Sequence, residues 1–279
     1  MLIRFFTVFL VIFTAIVTAQ EKAAPAISKN SVLTLIVTPG ATDAFPARLD
    51  AARRLGENLS PQTIHILCKF LDRPANRDTI APGELNALKN DVLDILVRQS
   101  RMPADLGYHL IKMCNDEGHD AVWRDYCIQF LRVCHQRART HKEQADIEKT
   151  LWAATDKNWS ISGTALISLE LLKDAVDQQK VVARGFAIAS DDTFTTAARM
   201  TALQICANAG HKDILPVARN LAASNDSVPL RVAAIGAIGL LGEESDLKNL
   251  TLWGSSSDVR LKAASKAAME RIQGKTGKR

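Results

Sequence analysis

The chain predicts an all-α fold built as a repeat array rather than around one globular core. Three observations carry that prediction. Aromatic residues are only 5% of the 279 residues while apolar residues reach 47%. An interior made mainly of Ala, Leu, Ile and Val suits helices packed closely through small side chains better than a β-sandwich. Apolar residues recur at i, i+3, i+4 and i+7 along most of the chain, the spacing of one helix face. Finally, one nine-residue pattern returns at steps of 41, 35, 38, 37, 32 and 31 residues, the range of helical solenoids.

Taken in order, residues 1–19 read as a secretory signal peptide. Arg4 supplies the short basic region, 5–17 is an uncharged apolar run, and Val17-Thr18-Ala19 offers small residues for cleavage after Ala19. The run is shorter than the roughly 20 residues that span a bilayer, so cleavage and export to a periplasm or the medium are expected. Losing Arg4 takes the net charge from +5 to +4, too mild for a nucleic-acid binder. The mature chain is expected to have no membrane span and to be monomeric. Residues 20–29 read as a linker, 30–273 as the array and 274–279 as a basic tail.

Within the array, each copy of the pattern has an apolar residue, a cation, a variable position, three mainly small or apolar residues, a spacer and two more apolar ones. The cations are Arg48, Lys89, Arg124, Arg199, Arg231 and Lys262, with Ser162 in the fourth copy. Amphipathic stretches precede the copies and supply a partner helix for each. They include Ser60 to Leu71, Pro103 to Met113, Val217 to Asp226 and Asp246 to Trp253. Ser31 to Val37 fits the first partner helix, although its β-branched content suits a strand equally. Ser60 before Pro61, and Ser227 shortly before Pro229, predict helix starts; Gly210 and Gly242 predict helix ends. In 227–242, SVPLRVAAIGAIGLLG, Arg231 argues against a membrane segment. Gly236 and Gly239 there are expected to let neighbouring helices approach.

This pattern resembles the HEAT-repeat family over about residues 30 to 273. The resemblance implies a right-handed α-solenoid of about seven two-helix HEAT-like repeats whose second helices line the inner face. It also implies that each cation reaches an acid in the preceding turn: Asp120 for Arg124, Asp192 for Arg199, Asp226 for Arg231 and Asp258 for Lys262.

Few residues promise chemistry. Five cysteines in an exported chain leave at least one unpaired. Cys127 and Cys134, seven residues apart on one helix, are about 10 Å apart, too far to bridge. Cys114 on the adjacent helix could pair with either, or all could be small buried hydrophobes. His119, His135 and His141 lie nearby without compact metal-ligand spacing, and no motif implies a cofactor or a catalytic constellation.

The segment 132–142, with Arg132, Arg137 and Arg139, is the most basic stretch of the array; it suits an anionic partner or a helix end. Trp159 opens an irregular unit and is a candidate contact residue, as is the loop 72–83. The resulting expectation is an exported, non-enzymatic HEAT-repeat scaffold that engages an unidentified protein through its concave face. The alternatives are an enzyme of the same fold, of lyase or DNA-glycosylase type as the resemblance implies, or a binder of an anionic envelope polymer or lipid through 132–142.

Overall fold

The computed structural model describes residues 29–39, 44–156 and 160–276. The signal-like leader, the cut after Ala19 and Trp159 lie outside the described residues. Among the described residues there are fourteen α-helices and no strand. They fall into seven successive pairs: α1 (Lys29–Val37) with α2 (Ala44–Arg53), α3 (Pro61–Leu71) with α4 (Pro82–Arg98), α5 (Leu106–Asn115) with α6 (Ala121–Arg137), α7 (His141–Thr155) with α8 (Ser162–Leu171), α9 (Gln178–Ser190) with α10 (Thr196–Asn208), α11 (Ile214–Ala223) with α12 (Val228–Leu241), and α13 (Leu247–Gly254) with α14 (Val259–Thr276). Residues 31–37 are therefore helical, and the last helix runs to Thr276, three residues into the expected tail.

Each pair packs within itself, and every second helix packs on the next, from α2 through α14. That stacking makes an α-solenoid. Its interior is one continuous cluster of buried residues, from Ile36 to Ile272, because no pair can cover its own apolar face alone.

Local chemistry sets the helix starts. Ser60 Oγ accepts from Thr63 N at 3.1 Å, with Pro61 next in the chain. Asp120, Thr140, Asp177 and Thr195 cap α6, α7, α9 and α10 in the same way. Ser227 stands at the start of α12, but its hydroxyl makes no cap bond; Pro229 in the first turn sets that start instead.

The two closing glycines act for different reasons. Gly210 takes φ +74, the left-handed conformation that ends α10, and His211 N bonds back to Cys206 O at 3.0 Å. Gly242 has an ordinary φ; there a Cβ would stand 2.5 Å from the Ile238 carbonyl oxygen.

Candidate functional site

The repeated cation is a cap for the helix before it. Arg48, Arg124, Arg199 and Arg231 each donate Nε to a carbonyl, of Ile36, Cys114, Ala189 and Ala222, at 2.9, 2.9, 3.2 and 3.1 Å. Every acceptor is the penultimate residue of the first helix in the same pair, and so one of the carbonyls that a helix leaves without an internal partner.

This corrects the expected ladder of cations on acids. The acids sit where helix starts claim them. Asp120 accepts from Val122 N and Trp123 N at 2.9 and 3.1 Å and from Asn86 Nδ2 of the preceding pair. Asp258 accepts from Arg260 N and pairs with its guanidinium at 2.8 Å, and Asp226 takes the Ser224 hydroxyl at 3.0 Å. Lys262 is exposed, and Ser162 is buried as the first residue of α8.

Two of the cations do more. Arg48 also forms a two-pronged ion pair with Asp78, at 2.6 and 3.0 Å, and Arg73 reaches the same carboxylate at 2.9 Å. Burial raises the Asp78 pKa, but the hydrogen bonds from Arg48 and Arg73 outweigh it and hold the carboxyl well below the usual range. Lys89 donates Nζ to the Arg73 carbonyl and lies 4.8 Å above the Trp123 ring; burial pushes its ammonium down to about 8.

Beside Lys89, Asp72 accepts from Lys112 at 2.9 Å and meets the buried His119 at 3.4 Å. Burial, then the Lys89 charge, lowers the His119 pKa. Asp72 and Asp78 therefore tie the 72–83 loop down rather than offering it as a free recognition element.

All five cysteines are buried thiols, so the bridge expected between Cys114 and Cys127 or Cys134 is not formed. Burial pushes the Cys134 thiol up to about 12 and Cys127 well above its ordinary value. Both stay protonated and pack as small hydrophobes. No group of three or more His, Cys, Asp or Glu side chains is placed to hold a metal ion among the described residues, and none of the helices there is long and apolar enough to cross a membrane.

The 132–142 segment contributes to a concentration of like charge that also lines a cavity. Arg137 and Arg139, at the α6–α7 turn, fold back on the turn that follows α4: Arg137 donates to Val97 O, and Arg139 Nη2 to Met102 O at 2.8 Å. With Arg98, Gln99, Ser100, Arg101 and Met102 they line an open cleft of about 410 Å³. Four of its lining residues are arginines and none is acidic. Its floor is fixed from behind. Gln99 accepts from Leu59 N at 2.8 Å and donates to Gly56 O and Ile95 O, while Ser100 Oγ donates to Asn58 Oδ1 at 2.6 Å. Arg132, half-buried on α6, is not among the lining residues.

Sequence reasoning missed Arg98 and Arg101. Their signal was positional: like Arg137 and Arg139, they stand at or just past the end of the second helix of a pair.

No family model and no curated protein matches the chain. Among solved structures, human deoxyhypusine hydroxylase in complex with glycerol is similar, at a TM-score of 0.38 and 12% identity over 88% of this chain and 96% of that one. That protein is an enzyme. The expectation of a non-enzymatic scaffold is corrected: it rested on helical-repeat architecture alone, which a hydroxylase can share and which gives no ground for setting catalysis aside.

Proposed function

We propose that the protein binds a small anionic ligand in the arginine cleft between the α4–α5 and α6–α7 turns, on a framework of HEAT-like repeats that is exported behind a cleaved leader. The observation that carries this reading is the cleft lining: four arginines, a serine and no acidic residue. Arginines would also gather there to tie down backbone carbonyls, and Arg137 and Arg139 do so, on the last turn of α4 and on the connection after it. Each spends a single bond on a carbonyl, and a guanidinium has five N–H donors. Tying down carbonyls gives no reason for Arg101, which has no hydrogen bond or ion pair with any other described residue and still lines the cleft. Anchoring a charged group is a step that an enzyme and a carrier share, and the proposal is made for that step. The HEAT-like reading is supported by the seven helix pairs and the recurring cation cap; the leader rests on the pattern of residues 1–19.

The test is thermal unfolding with sodium sulfate replacing sodium chloride at constant ionic strength. The wild-type midpoint should rise more with sulfate than that of the double variant Arg98→Gln, Arg101→Gln, which keeps only the general stabilisation that excluded sulfate gives a folded chain. Equal midpoint shifts in both proteins, or no shift in either, would sink the reading.

A further inference from the structure

Resting on that reading of the cleft, we infer that its ligand is a small phosphate ester with a polar, non-aromatic body, held by its dianionic phosphate. The charge balance points there first. Of the four guanidinium groups, Arg98 is offset by Asp94 at 2.9 Å. The C-terminal ends of α4 and α6, which converge on the cleft, add roughly half a negative charge each. Glu143 accepts from Arg139 N in the first turn of α7, where it offsets the positive end of that helix. Glu143's charge exceeds that half charge, so about one and a half positive charges are left at the cleft. A carboxylate carries one negative charge, whereas a phosphate monoester carries about −1.5 to −2 at neutral pH and has three acceptor oxygens.

Donor geometry agrees. Arg137 and Arg139 are held at fixed positions by their carbonyl bonds, so their remaining N–H groups can meet phosphate oxygens in pairs with little ordering left to do. Size and lining then describe the rest of the ligand. A cleft of about 410 Å³ is within the range that holds small molecules, roughly 300 to 1,000 Å³. Its lining has no aromatic ring on which a base could stack, and Met102 is its one apolar side chain. Ser100 donates its proton to Asn58, so its oxygen is free to accept from a ligand hydroxyl. Gln99 is fully engaged behind the wall and reads nothing.

Isothermal titration calorimetry of the full chain tests this, with ribose 5-phosphate, inorganic phosphate, acetate and adenosine monophosphate as titrants. Flotation with phosphatidylcholine vesicles containing phosphatidic acid tests the lipid source of the same group. Ribose 5-phosphate should bind, with acetate weaker by at least about tenfold. The variant Arg101→Gln, whose side chain makes no bond among the described residues, should keep the wild-type melting midpoint and lose about tenfold in affinity for ribose 5-phosphate, the worth of a charged hydrogen bond.

Acetate binding as well as ribose 5-phosphate overturns the phosphate assignment while leaving an anion cleft in place. Adenosine monophosphate binding tighter than ribose 5-phosphate overturns the non-aromatic body, and binding to vesicles alone overturns the small ligand. Unchanged affinity in Arg101→Gln puts the bound molecule elsewhere. If no anion binds in any form, the reading of the cleft falls with the inference.

Discussion

Arg231 holds its Nε 3.1 Å from the carbonyl oxygen of Ala222, which belongs to the last turn of the neighbouring helix. The same relation joins Arg199 to Ala189 and Arg124 to Cys114. In each, the cation is the fourth residue of its own helix. One charged hydrogen bond thus closes the first helix of a pair from the second, and its position in the repeat is fixed by reach.

Replacing one of these arginines strands a carbonyl at a packed helix end. Arg199→Ala should lower stability by about 1 to 3 kcal/mol, read from urea unfolding midpoints. Lys262→Ala, at the same register but exposed, should stay within about 0.5 kcal/mol of wild type.

The two glycines of α12 should respond in opposite senses. A Cβ at Gly239 would stand 2.8 Å from Ala268 Cα on α14, whereas one at Gly236 would meet nothing within 4 Å. Gly239→Ala should therefore cost about 1 to 3 kcal/mol through overpacking. Gly236→Ala should gain up to about 1 kcal/mol from helix propensity. Equal effects in denaturant titrations would overturn the assignment of the close approach to Gly239.

Asp78 should dominate acid stability at the N-terminal end. Both it and Arg48 are sealed, with side chains 0% and 1% exposed. Asp78→Ala should cost about 3 to 5 kcal/mol by leaving Arg48 buried without its partner. Its folded pKa lies below the unfolded one, so its stabilising contribution is complete above the unfolded carboxylate value. That contribution is lost as pH falls from about 4. The wild-type curve should drop there more steeply than that of Asp78→Asn.

Lys89 has the opposite consequence at alkaline pH. Its folded pKa is lowered from 10.5 to about 8, so between those values the unfolded chain holds the extra proton. Stability due to this residue should rise with pH through that window. The difference between wild type and Lys89→Met, followed by urea unfolding from pH 7.5 to pH 10, isolates the effect; a flat difference would show the ammonium to be solvated.

The period of the array and the register of its cations were legible in the sequence because both follow from helix geometry. What each cation touches was not. Every residue has a carbonyl, so an acceptor such as Ala222 O leaves no mark in the sequence, while an acid such as Asp226 four or five positions away does. Gly236 and Gly239 likewise differ only in what α14 places opposite them. The cleft was half visible. Arg137 and Arg139 were evident as part of a basic run, but Arg98 and Arg101 meet them only because successive pairs stack with their turns aligned. Trp159 and the leader were read from sequence and lie outside the described residues.

The walls of that cleft come from two successive turns in the stack, the one after α4 and the one after α6. A bound ion that grips both turns is a clasp across a joint. An anion held there would bear on the joint between two successive helix pairs rather than on either pair alone.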